Sequence, residues 1–147
     1  MNTIDWEQIT KVEYRYEDSS VPPDYHRSYT IVVTDSSKSI IIDSYGTVLL
    51  TQLYANSSKS FKTFIEHLSN VGISKHKEKE DNGCSGGTTE YIRLYKGDDK
   101  LFDAYVYHCS GDFGDLSMPD GTADWFKEQI PEDVSSLIGS TLNTNMK

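Results

Sequence analysis

The 147-residue chain carries 23 acids against 14 bases, a formal net charge of −9, and its pI is about 4.8. A chain of this length fits one domain and buries roughly 70% of its unfolded surface, so its core needs neither metal nor disulfide staples. With 36% hydrophobic, 25% charged and 12% aromatic residues, neither a disordered tail nor a coiled coil fits; the acidic balance also opposes general nucleic-acid binding, which draws on cations that neutralise phosphates.

The opening run Met1-Asn2-Thr3-Ile4-Asp5-Trp6-Glu7 has neither a basic start nor an apolar stretch, so no secretory leader is expected. No run approaches the ~20 apolar residues that a bilayer crossing requires. Cytoplasmic residence, with no membrane partner, is the expectation. Residues 1–140 are expected to form a single domain and residues 141–147 a frayed tail.

In Lys11 to Glu17, apolar Val12, Tyr14 and Tyr16 alternate with charged residues, the period-two signature of a strand with one wet face. Pro22-Pro23 breaks the pattern with a stiff connection. Ser28 to Thr34, Ser39 to Asp43 and Thr47 to Leu53 follow as short strands with turn-length links, which predicts an antiparallel meander. Phe61, Phe64, Ile65, Leu68 and Val71 then recur at helical spacing, with Ser58 or Ser60 able to cap the start and Gly72 the end. The polar, glycine-bearing stretch from Ser74 to Gly87 reads as a mobile surface loop. Thr88 to Lys96 and Lys100 to Cys109 read as a β-hairpin that sets Leu94 opposite Phe102, Ile92 opposite Ala104, Glu90 opposite Val106, Arg93 opposite Asp103 and Tyr91 opposite Tyr105. Ser110 to Asp115 reads as a loop. Helical signals follow: Asp120 or Thr122 as cap, then Trp125, Phe126 and Ile130, a stop at Pro131, and Val134, Leu137 and Ile138 docking before Gly139. The order predicts an α+β fold: an antiparallel sheet, made of the meander and the C-terminal hairpin, with one main helix and short C-terminal helices packed on one face.

Cys84 and Cys109 lie in similar settings, Gly83-Cys84-Ser85-Gly86-Gly87 and His108-Cys109-Ser110-Gly111-Asp112. Three readings compete: a disulfide at the open end of the hairpin, which needs Cα atoms within roughly 7 Å; a cysteine hydrolase or transferase with Cys84 as nucleophile and His108 or His26 as base; and two small half-buried thiols at a glycine bend. The last outweighs the others for a reducing compartment. Zinc is disfavoured because adjacent strand residues such as His108 and Cys109 point to opposite faces and no CxxC or HExxH occurs. Asp112, Asp115 and Asp120 are the candidate ligands of a calcium or small-ligand module, although the EF-hand pattern is missing. Asp112-Phe113-Gly114 matches the kinase magnesium triplet without any of its companions. No cofactor is implied.

Charge distribution says more than any motif. Between Asp98 and Asp133 ten acids face only Lys100 and Lys127, a net of −8. Such a field speeds encounter with a basic partner and repels nucleic acid. The leading expectation is therefore a non-enzymatic binding protein, of the immunity or inhibitor kind, that engages a basic protein through its acidic C-terminal third. Asp98, Asp99, Asp112, Phe113, Asp115, Asp120, Asp124 and Trp125 are the candidate contacts, with the aromatics as anchors.

Overall fold

A computed structural model describes residues 4–81 and 83–145. Its eight strands form one antiparallel sheet: β1 (Lys11–Glu17), β2 (Ser28–Thr34), β3 (Ser37–Ser44), β4 (Thr47–Ala55), β5 (Ser74–Lys79), β6 (Thr88–Lys96), β7 (Asp99–His108) and β8 (Asp112–Ser117). Their spatial order is β4-β3-β2-β1-β6-β7-β8-β5. Three α-helices accompany them: α1 (Ser58–Val71), α2 (Thr122–Lys127) and α3 (Val134–Asn145). The α+β class and the antiparallel sheet agree with the sequence pattern, and no helix among the described residues is long and apolar enough to cross a membrane.

Alternation decides which side of each strand is dry. Val12, Ile31, Val33, Ile40, Ile42, Ile92 and Leu94 are fully buried, while their chain neighbours Glu13, Val32, Ile41 and Arg93 are only half-buried. The buried residues of α1, α2 and α3 join these strand residues in one apolar cluster. Phe126 of α2 stacks on Tyr14 at 4.9 Å between ring centroids, and Phe64 of α1 meets Phe126 edge-on at 5.5 Å. Complete burial of Phe126 contributes roughly 1.5–3 kcal/mol.

α1 follows its predicted stripe, with Phe61, Phe64, Ile65 and Leu68 buried. Its cap is Ser57, one residue before the expected serines, whose hydroxyl accepts from the Ser60 amide; Gly72 ends the helix at φ +95°, a conformation that glycine adopts without strain. The β6–β7 register is the one expected from Glu90 to Leu94, but a bulge after Leu94 pairs Tyr95 with Lys100 and Lys96 with Asp99.

Four expectations need correction. Residues 74–79 are a strand, β5, paired with β8 from Ser74↔Ser117. Its side chains are charged and solvated, so it shows no apolar period. Most of the expected 110–115 loop belongs to β8, which pairs with β7 through Tyr107↔Phe113 and His108↔Asp112. α2 starts after Gly121 with no side-chain cap, so neither Asp120 nor Thr122 serves, and it ends at Lys127, ahead of Ile130. α3 runs past Gly139 to Asn145, through most of the stretch expected as a tail. Thr141 is buried within it and accepts a hydrogen bond from Arg27 Nε at 2.9 Å. Residues 146–147 lie outside the described residues.

Candidate functional site

The open end of the β6–β7 hairpin brings the chemically capable side chains together. Thr88 pairs with His108, so the chain just before β6 runs beside the chain just after β7. Cys84 and Cys109 are joined there as a disulfide, with Cα atoms 6.2 Å apart. The close approach depends on Gly87, where a Cβ would collide with the His108 carbonyl and the Cys109 side chain. This overturns the expectation of two free thiols: the glycine segment curls back far enough to bring both sulfurs together. A disulfide sulfur carries no thiolate lone pair for attack, so Cys84 is not a nucleophile in this state.

His108 points to the side of the sheet that carries the core. Its Nε2 lies 2.6 Å from Glu90 Oε2 and its Nδ1 lies 2.7 Å from Asp112 Oδ1. Tyr14 donates its hydroxyl to Glu90 Oε1 at 2.5 Å. Four strands thus contribute one residue each to a Tyr14–Glu90–His108–Asp112 chain. Burial pulls the imidazole pKa down, but the hydrogen bonds and charges of Glu90 and Asp112 outweigh it and hold the value above the ordinary histidine range. With a carboxylate at each nitrogen, both nitrogens donate only as imidazolium. Burial, aided by Glu90, raises the Tyr14 hydroxyl so that it remains a donor. The arrangement clamps strand ends; it presents no free base to a substrate. Sequence reasoning picked out His108 but missed Tyr14 and Glu90. The available signal was Glu90 itself, a carboxylate opposite Val106 on the core-facing register.

A cleft of about 250 Å³ opens beside this chain, lined by His76, Glu90, His108, Asp112 and Asp120 among others. It brings Asp112 and Asp120 to one place. The other candidate acids are scattered. Asp98 and Asp99 lie at the β6–β7 turn, about 30 Å from His108 for a strand of this length. Asp103 pairs with Arg93 at 3.2 Å and Lys100 at 2.8 Å. Asp115 faces Lys75 at 3.5 Å and accepts from the Tyr105 amide. The calcium candidates therefore diverge, Asp112 toward His108 and Asp115 toward Lys75. No group of three or more His, Cys, Asp or Glu among the described residues is arranged to hold a metal.

The aromatic candidates are also apart. Phe113 is half-buried on β8 with the Lys79 ammonium 5.6 Å from its ring centroid. Trp125 is 41% exposed and lies against the half-buried His67 at 3.5 Å between ring centroids. His26 is buried just before β2, three strands across the sheet from β7: it stacks on Tyr45 at 3.6 Å, and its Nδ1 accepts the Tyr45 amide. Comparison with protein-family models, curated proteins and solved structures finds no match.

Proposed function

We propose that the protein is a non-enzymatic binding protein that engages a basic protein through the carboxylates of the β8–α2–α3 region, with Trp125 as the apolar anchor. In this reading α1, α2 and α3 cover one face of the sheet, and the acids of the connecting segments form their rim. The observation that carries it is the state of five carboxylates: Asp120, Asp124, Glu128, Glu132 and Asp133 form no ion pair among the described residues. Asp112 and Asp120 share one cleft; Asp124, Glu128, Glu132 and Asp133 line a second hollow, where Lys127 is the one cation among the lining residues. Carboxylates without a cationic partner, with Asp124 next to Trp125 in the chain, supply the steering charge and anchor that a protein interface uses.

Asp98 and Asp99 lie outside the proposed interface, because the length of the hairpin removes them from this rim. The disulfide supports residence in an oxidising compartment over the cytoplasmic expectation. The test is affinity capture at low salt with wild type and with an Asp120→Lys/Asp124→Lys variant of unchanged fold. Wild type retains a basic protein that elutes with salt, and the variant loses it; equal retention by both overturns the reading.

A further inference from the structure

The Cys84–Cys109 disulfide stands just outside the ladder that it adjoins. The β6–β7 register closes at Thr88↔His108, so Cys109 follows directly on the paired stretch and Cys84 precedes it in the chain. β6 is paired on both sides, with β1 from Glu17↔Thr89 to Lys11↔Tyr95 and with β7 along the hairpin. Those ladders hold the hairpin without the sulfur bond. What the bond adds is a tether on the chain that leads from β5 into β6. Beside the bond, that chain is tied by the Tyr107 hydroxyl, which donates to the Cys84 carbonyl at 3.0 Å and accepts the Gly87 amide at 3.3 Å. β5 itself is lightly held. It pairs with β8 alone, through Ser74↔Ser117, Lys75↔Leu116 and Lys79↔Gly114, with an irregularity between the last two. Five of its six residues are exposed, and its side-chain ties run from Lys75 to Asp103 and Asp115 and from Glu78 to Tyr105. Both cysteines are half-buried, and neither belongs to the apolar cluster.

We infer that the disulfide is a reducible latch: a dithiol reductant opens it in the folded protein, and β5 then comes away from β8. The cleft that holds His76 beside Glu90, His108 and Asp112 thereby loses the wall that β5 supplies. One thiolate of the reductant attacks a sulfur of the pair; the Cys84–Cys109 bond breaks as a mixed disulfide forms, and the other cysteine leaves as a thiolate. The second thiol of the reductant displaces the first cysteine in turn. The reductant ends as its own disulfide, and two electrons and two protons have passed to Cys84 and Cys109. Release stays local because the bond lies outside the ladders, and weakly held edge elements open below the free energy of global unfolding. The β8 backbone that β5 had paired, at Gly114, Leu116 and Ser117, then faces water. Reoxidation restores the latch, because the ladder still holds Thr88 against His108 and keeps Cys84 within reach of Cys109. No partner protein enters this inference, so it is independent of the basic-partner reading.

β5 carries its own reporters, since Lys75, Lys77 and Lys79 are trypsin sites, whereas Arg15 and Arg93 lie in the central strands β1 and β6. The test treats the full-length oxidised chain with dithiothreitol in native buffer, counts thiols, and follows limited tryptic digestion. Two thiols per chain are expected to appear with the circular-dichroism spectrum retained. Cleavage after the β5 lysines is expected to quicken at least about tenfold, Arg15 and Arg93 stay resistant, and reoxidation restores the original pattern. Cys84→Ser/Cys109→Ser should be cut at the quick rate with or without reductant. If that variant misfolds, reduced wild type blocked with iodoacetamide carries the comparison. Thiols that appear only in denaturant overturn the inference, by making the bond a sealed staple. Equal cleavage of the oxidised and reduced chains overturns it by freeing β5 from the bond's control. Loss of the whole spectrum on reduction also overturns it, by making the bond a support of the entire fold.

Discussion

Strands β2 and β3 keep Ile31, Val33, Ile40 and Ile42 fully out of solvent, whereas β5 and β8, toward the other end of the same sheet, bury only Gly114 and Leu116. What the second region lacks in apolar burial it makes up in polar and covalent ties. Lys75 Nζ donates to the Asp103 carbonyl at 2.9 Å, Tyr105 donates to Glu78, His108 bridges Glu90 and Asp112, and the disulfide closes the mouth of the hairpin. The first region answers mainly to packing, with stabilisation that is broad; its acid-sensitive group is Asp43, where burial pushes the carboxyl up but hydrogen bonds from Arg15 and the Gly46 amide hold it below its ordinary range. The second answers to redox state and protonation, so it is the part that solution conditions can loosen without unfolding the whole.

The largest effect is expected where packing rules. Ile40→Ala removes a fully buried side chain and should cost about 2–5 kcal/mol, read as a lower urea midpoint. A loss well below 1 kcal/mol would erase the distinction between the regions. Removing the disulfide by Cys84→Ser/Cys109→Ser frees a loop of sequence separation 25 and should cost about 2–4 kcal/mol on the chain-entropy account. Hydrogen exchange sharpens this prediction: protection should fall first in β5, β8 and the segment before β6, and a fall that begins in β2 and β3 would contradict it.

The smallest effect concerns pH. The His108 pKa is raised in the folded state, so its stabilising contribution is complete below the unfolded value of about 6.5 and fades as pH climbs through the folded value. Wild type should lose some melting temperature across that interval, and His108→Gln should flatten the loss. An unaltered slope would remove the imidazolium clamp from the account.

The better-packed region was also the more legible one. Val12, Ile31 and Ile40 announce themselves because burial on a single face forces alternation, and α1 because its stripe, cap and Gly72 all agree. The hairpin register was readable from paired side chains on both faces, apart from the bulge at Tyr95, where backbone irregularity leaves no mark in composition. β5 was invisible because an edge strand with two wet faces needs no apolar residue. β8 was hidden by its aspartates and glycines, which imitate a loop. The acidic run is spread over the surface for a geometric reason: β7 carries Asp99 and Asp112 to opposite ends of the sheet, and Lys75, Arg93 and His108 then engage Asp115, Asp103 and Asp112. Pairing of Cys84 with Cys109 depended on the path of the glycine segment, which spacing alone does not specify.

The unequal dressing of the sheet's two margins has a consequence for aggregation. A sheet that is sticky on both sides elongates into filaments, because each added molecule exposes a fresh acceptor. Here the lysine-rich β5 margin resists such growth, while the uncharged β4 margin lacks that protection, so the sheet is guarded on one side and cannot template strands from both.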